Sequence, residues 1–299
     1  GTVEKPECHM LYNVTTMATT WNTVATRDIR LLRKQMDIVC ALPREYTFLN
    51  YLRCHDDIGW GLDYATLKTW GMEEVPHKKY LNDYFQGKTE GSVSRGELYN
   101  EDLVTGDARF CATTASMCGV ESAGFEQNEE KMDWAITKDV MLHAYMFTQS
   151  GIPMLYSGDE IGQVNDYTYK DDPDKAPDSR YIHRGKFNWD LVKNIEDKTS
   201  VQGRIFNALR KLEEIRRNEP VFNADAEVWT KDYSDQSILW IVRRAQGEEL
   251  HAVFNFSDYP KTVWMPEKAE YTNLLSGGTD EIVTVDMPGW GFFWMKRKL

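Results

Sequence analysis

The chain has 299 residues, of which 41% are hydrophobic, 12% aromatic and 27% charged, a balance that excludes a disordered polypeptide and fits compact domains. Its formal net charge of −12 argues against nucleic acid and anionic membranes as partners, because both reward clustered Lys and Arg. No apolar run has the length of a membrane span, and the opening GTVEKPECHM lacks the basic and apolar regions of a signal peptide.

Five cysteines, Cys8, Cys40, Cys54, Cys111 and Cys118, are odd in number and show no CxxC spacing. They signal neither a disulfide framework nor a zinc site, and a reducing cytoplasm is the expected location. The start without Met leads to the expectation that the chain derives from a longer one.

From Thr15 to Cys40 no proline or glycine intervenes, and Val24, Ile29, Leu32, Met36 and Val39 recur at roughly helical spacing, which predicts a helix that Pro43 closes. Phe48-Leu49-Asn50-Tyr51-Leu52 is short, apolar and followed at once by charge, as in a strand buried on both faces. Residues 59–130 read as a long insertion loop carrying short helices near Asp63–Trp70 and Lys78–Phe85. A second helix is expected from Met132 to Ser150, ended by Gly151 and Pro153, and then a brief strand, Met154-Leu155-Tyr156, that breaks on Ser157-Gly158-Asp159-Glu160.

Helix, short strand and acidic loop thus occur twice, the alternation of a parallel α/β architecture whose strands are re-entered through crossover helices. A third helix, Ser200 to Arg217, would bury Val201, Ile205, Leu209 and Leu212 and stop at Asn218 and Pro220. Beyond it, Ser237–Arg243, Leu250–Phe256 and Gly291–Met295 are strand-like runs among turn residues. Together with several shorter strands they predict a small, sandwich-like antiparallel domain over 220–299, after an α/β part over 1–219.

A (β/α)8 barrel keeps its chemistry where strands end and loops begin, so the acids that follow the two short strands are well placed. Each has a bland alternative as a helix cap or turn residue. His55-Asp56-Asp57 is the stronger candidate, because adjacent acids raise one another's proton affinity unless a ligand, a cation or an Arg compensates. Glu160, inside Gly158-Asp-Glu-Ile-Gly162, reads as a tie to backbone donors rather than a second catalytic carboxylate. Arg109 and Arg180 lie in long loops among aromatics and acids, where a surface ion pair is the usual outcome. Some of the 10 Trp and 15 Tyr residues can stack on sugar rings, although most will be core. Asp171-Asp-Pro-Asp174 lacks the Gly and terminal Glu of a calcium loop, so neither metal nor cofactor is expected.

Leu52-Arg-Cys-His-Asp-Asp-Ile-Gly-Trp60 resembles the strand-seven motif of glycoside hydrolase family 13, the α-amylase family, in its amylosucrase variant. Glu7-Cys-His-Met-Leu-Tyr-Asn13, Trp21-Asn-Thr-Val-Ala-Thr-Arg27 and Val104-Thr-Gly-Asp-Ala-Arg109 resemble amylosucrase segments in the same order. So do Gly151-Ile-Pro-Met-Leu-Tyr156, Gly158–Gly162, Pro177-Asp-Ser-Arg-Tyr-Ile-His-Arg184 and Asn255-Phe-Ser-Asp-Tyr-Pro260. The resemblance covers nearly the whole chain. It implies an α/β fold, the C-terminal portion of a TIM barrel (strands 7 and 8, helices 6 to 8), followed by the antiparallel β domain.

By the same resemblance Asp56 would be the acid that grips sugar hydroxyls and favours the oxocarbenium-like transition state, and His55 would bond the same ring. Asp57 and Arg109 would lie toward the acceptor or fructosyl side, and Arg180 would close the base of the glucosyl pocket. The nucleophilic Asp and the acid/base Glu of the family belong to earlier strands, so the chain is expected to be inactive alone and to need a missing N-terminal half or a second copy. The implied reaction is retaining cleavage of sucrose with glucosyl transfer to an α-glucan or to water. Hydrolysis of starch-like α-glucans, maltose isomerisation and a non-catalytic carbohydrate-binding module remain the alternatives.

Overall fold

The computed structural model describes residues 8–299; Glu7, the first residue of the opening motif, lies outside them. A short strand β1 (Met10–Tyr12) leads into helices α1 (Val14–Thr26) and α2 (Arg30–Cys40), then β2 (Thr47–Asn50) and β3 (Ile58–Gly59). Helices α3 (Tyr64–Thr69) and α4 (Glu74–Phe85) precede β4 (Glu97–Tyr99), β5 (Arg109–Cys111), α5 (Thr114–Cys118) and α6 (Val120–Glu126). The long α7 (Glu129–Thr148) is followed by β6 (Ile152–Pro153), α8 (Trp189–Val192) and α9 (Val201–Asn218). Strands β7 (Glu227–Lys231), β8 (Ile238–Ala245), β9 (Glu248–Asn255), β10 (Lys261–Asn273), β11 (Thr279–Met287) and β12 (Phe292–Lys298) complete the chain.

The α/β part is organised by a parallel sheet in the order β1-β2-β6, with Tyr12 opposite Leu49 and Leu49 opposite Ile152. Two buried asparagines tie its strand ends: Asn13 Nδ2 donates to Asn50 Oδ1 at 2.9 Å, and Asn50 Nδ2 to Ser150 O at 2.7 Å. The strand expected at 154–156 lies two residues earlier. Pro153 has no N–H for the ladder, and after Met154 donates to Asn50 O at 2.8 Å the chain turns away. Nor is β2 buried on both faces, since Thr47, Phe48 and Leu49 are half-buried beside an exposed β1.

Gly151 makes the turn into β6 at φ +110, and a Cβ there would stand 2.4 Å from Phe48 O. Left-handed backbone and a backbone clash act together, so Gly151→Ala is expected to cost at least about 2 kcal/mol in urea unfolding.

The single helix expected over 15–40 is two. Arg27 adopts φ 61 and ends α1 without any Gly or Pro. The break is tertiary in origin: Arg27 Nε pairs with Asp258 at 3.0 Å, and Ile29 N–H donates to Gln236 O at 2.8 Å, both partners in the C-terminal part. Helix α7 begins as its sequence dictates, with Asn128 accepting from Lys131 N–H at 3.0 Å and Glu129 and Glu130 in the first turn. Helix α9 starts on Ser200 and buries Ile205, Leu209 and Leu212, as the spacing predicts, whereas Val201 in its first turn is half-buried.

The insertion is more ordered than a loop with short helices, because β3, β5 and β4 pair into a small antiparallel sheet. Trp60, Phe85 and Phe110 pack behind it, with Trp60 and Phe85 stacked at 5.3 Å. The C-terminal part is one six-stranded antiparallel sheet, β11-β10-β12-β9-β8-β7, in which Val263, Met265 and Met287 pack against Trp240, Val253 and Phe293. Strand β10 runs for 13 residues but has only one short apolar stretch, Val263-Trp264-Met265; Val263, Met265 and Tyr271 are buried in an otherwise mostly exposed strand. Period-two alternation with one face in water hides such a strand from a search for apolar runs.

One apolar core continues across residue 220, joining Trp21, Tyr145 and Leu209 to Phe254, Phe256 and Trp294. Arg243 is fully buried at this joint and donates to the carbonyls of Val221, Thr148 and Asn223 at 2.6, 3.0 and 2.9 Å, fixing the end of α7. Among the described residues no helix is long and apolar enough to cross a membrane.

Candidate active site

Beyond β2 the chain stays buried through Tyr51, Leu52 and Arg53, and Trp21 Nε1 donates to Leu52 O at 2.7 Å. Arg53 is 3% and Asp159 2% exposed, and the guanidinium holds Asp159 Oδ1 from both Nε and Nη2 at 2.8 Å. Thr114 Oγ1 donates to the other carboxylate oxygen at 3.1 Å, and Arg53 also lies over the Tyr156 ring at 4.6 Å. This pair cross-links the loops after β2 and β6. The next four residues, Cys54-His55-Asp56-Asp57, turn outward from a rigid base.

His55 and Asp56 have side chains 61% exposed, with His55 Nε2 3.5 Å from Asp56 Oδ2. Their backbone is pinned from the third element, the Asp178–Arg184 loop: Arg184 Nε donates to His55 O at 2.6 Å and His183 Nε2 to the same oxygen at 3.1 Å. Arg184 also reaches Asp56 Oδ1 at 3.7 Å. Asp57 is less exposed and lies 3.8 Å from Arg109 Nε. Burial pushes the Asp57 carboxyl above its ordinary value, while the charges of Arg109 and Arg180 oppose that rise.

A cleft of about 440 Å³ opens over these groups, lined among others by Tyr12, Tyr51, His55, Asp56, Asp57 and Arg109. Tyr12 and Tyr51 meet edge to face at 5.4 Å and form an aromatic wall. The structure therefore brings together four of the five residues singled out in the sequence. Arg180 is outside the lining: its guanidinium grips Asp178 at 2.7 and 2.8 Å and covers the Tyr99 ring at 4.6 Å. Glu160 accepts the Gly158 N–H at 2.8 Å, the backbone tie expected of it.

Donor atoms of Cys54, His55 and Asp56 fall within 4.8 Å of one another. Metal ligation needs a thiolate, whereas burial pushes the Cys54 thiol upward and keeps its proton. The triplet is a poor cage for an ion.

Sequence reasoning did not single out Arg53, Asp159, His183 or Arg184. Arg53 and Asp159 are 106 residues apart, so no local signal pairs them. His183 is buried between Arg53 and Arg184, and burial first, then those charges, hold it down to about 4. Its folded pKa is below the unfolded value of about 6.5, so its contribution is complete above about pH 6.5 and is lost as pH falls toward 4. Stability should drop by about 1.4 kcal/mol per pH unit from this group within that window. His183→Gln is expected to flatten the pH dependence of urea unfolding by one proton, and an unchanged slope would contradict the assignment.

No family model matches the sequence. The chain is 23% identical over 300 residues to glucosylglycerate phosphorylase of Escherichia coli strain K12, covering 97% of this chain and 48% of the relative. The chain therefore spans about half the length of the curated relative it matches. Sucrose 6F-phosphate phosphorylase from Thermoanaerobacter thermosaccharolyticum shares the fold with a TM-score of 0.62 at 16% identity, over 92% of this chain and 51% of that one. Cyclic alpha-maltosyl-(1→6)-maltose hydrolase from Arthrobacter globiformis does so with a TM-score of 0.53 at 14% identity, over 96% and 44%.

Proposed function

We propose that this chain, whose motifs and relatives point to glycoside hydrolase family 13, carries the sugar-gripping side of a retaining α-glucoside-active enzyme. The resemblance to that family is borne out by sequence kinship with glucosylglycerate phosphorylase and by the fold shared with other such enzymes. In this reading β2 and β6 are the seventh and eighth strands of a TIM barrel and β1 is the strand before them. Support comes from the open edge of β1, where Met10, Leu11 and Tyr12 are exposed beside Val14 although parallel sheets are normally covered. The missing barrel strands would cover them and supply the nucleophile and the acid/base.

The observation that carries the function is Asp56, held at a strand end with His55 in a cleft walled by two tyrosines and backed by Arg184. Retaining cleavage builds positive charge on the sugar ring, and a fixed carboxylate is worth most when that charge appears. Asp56 therefore grips sugar hydroxyls and favours the oxocarbenium-like state, and His55 bonds the same ring. Asp57 and Arg109 face the acceptor or fructosyl side, and Arg180, which grips Asp178 outside the cleft lining, would close the base of the glucosyl pocket only in the completed barrel. The substrate is sucrose, and the glucosyl group passes to an α-glucan or to water.

A second reading, phosphorolysis, is favoured by the phosphorylase names among the relatives and by Arg109 and Arg184 flanking the two acids. The experiment separating them gives sucrose to the barrel-complete protein with and without inorganic phosphate. Fructose release independent of phosphate, with glucan or glucose formed, supports the first reading. Glucose 1-phosphate that forms only with phosphate supports the second, and no sucrose consumption in either arm excludes sucrose as the substrate.

A further inference from the structure

A second cleft, of about 360 Å³, lies where α1, α7 and the β domain meet, and it shares no lining residue with the cleft at Asp56. At its base is Trp290, fully buried, whose Nε1 donates to Asp258 Oδ1 at 2.7 Å. Two cations lie over this one indole, Arg27 Cζ at 4.7 Å and Lys138 Nζ at 4.6 Å from the ring centroid. Arg27 has a carboxylate partner in Asp258 at 3.0 Å. Among the described residues Lys138 has no ion-pair or hydrogen-bond partner, although it is only 5% exposed.

A buried ammonium without a direct ion pair is costly, and burial first, then Arg27, push Lys138 down to about 8 against the weaker pull of the Asp258 carboxylate. Another polar group lining the cleft, the Ser122 hydroxyl, is 3% exposed and has no hydrogen-bond partner. Trp290 is also held at φ 55, a left-handed conformation that is strained for a bulky residue and is characteristic of ligand clamps. Trp134, exposed, lines the same cleft and offers an aromatic face of the kind on which sugar rings stack. Junctions between domains are where small-molecule sites concentrate.

We propose that this cleft binds a small anionic sugar, its phosphate or carboxylate seated between Lys138 and Ser122 near Arg27, and its ring against Trp134. The anion supplies the missing partner of Lys138 and an acceptor for the Ser122 hydroxyl. The proposal is independent of the reaction assigned to the Asp56 cleft.

The test is calorimetric titration of the protein with glucose 6-phosphate, glucuronate and, as the neutral control, glucose. At least one anion is expected to bind at millimolar concentration or below, and more tightly than glucose. Binding of only one anion assigns the phosphoryl or the carboxylate class. Lys138→Met should weaken that binding at least tenfold while the ligand-free Tm stays the same or rises, because an unpaired buried charge has been removed; Ser122→Ala should weaken it less. A purely structural lysine would instead lower the ligand-free Tm when replaced and leave affinity unchanged. That result, or the absence of binding by either anion, would overturn the proposal.

Discussion

Asp56→Asn is expected to lower kcat by about 10²–10³ in the barrel-complete protein, with KM little changed. That loss is the size seen when one fixed group that stabilises transition-state charge is removed, about 3–4 kcal/mol. The substitution keeps the shape and a hydrogen-bonding oxygen but removes the negative charge, so the neutral ground state of the sugar is held almost as before. The competing account makes Asp56 only a surface partner of Arg184, 3.7 Å away and well exposed. Exposed pairs contribute roughly 0–1 kcal/mol, so that account expects a small stability change and an unchanged kcat. Steady-state kinetics of sucrose cleavage separates the two, since only a role in the transition state lowers kcat alone.

Arg53→Met should destabilise the chain by about 3–5 kcal/mol, measured by urea unfolding near neutral pH. Both members of the pair are almost completely buried, and taking away the guanidinium leaves the Asp159 carboxylate with only the Thr114 hydroxyl as a donor. Breaking a buried pair costs this much because one charge remains in a medium that solvates it poorly. The double variant Arg53→Met with Asp159→Leu should recover much of the loss, because no charge is then left unpaired. If Arg53→Met alone were neutral, the loops after β2 and β6 would owe their positions to something other than this cross-link. The effect on the site would follow the same route, since Arg53 is two residues before His55.

How far the site was legible follows from which of its contacts are local. His55, Asp56 and Asp57 could be read because an apolar run ending on adjacent acids is a feature of neighbouring residues. Arg53 and Asp159 could not be paired from sequence, since they are 106 residues apart and only the parallel register of β2 and β6 brings their loops together. Arg184 was visible within its motif, but its role at the His55 carbonyl depends on a loop that crosses back from beyond β6.

The fold divides in the same way. Helices α7 and α9 carry caps, periodicity and stops in their own sequence. The break at Arg27 does not, because its cause is Asp258 in the distant turn between β9 and β10, and no Gly or Pro marks it. Strand β1 has only three residues, too few for any period to register, and in β10 the short apolar stretch Val263–Met265 gives way at Pro266 to a mostly polar half.

The most direct test of the central claim is fructose release from sucrose, measured for this chain alone and for the chain supplied with the remaining barrel strands. No release is expected from the chain alone, and release is expected from the completed barrel at a rate that Asp56→Asn lowers by about 10²–10³. Sucrose cleavage by the isolated chain, or a completed barrel indifferent to Asp56→Asn, would contradict it.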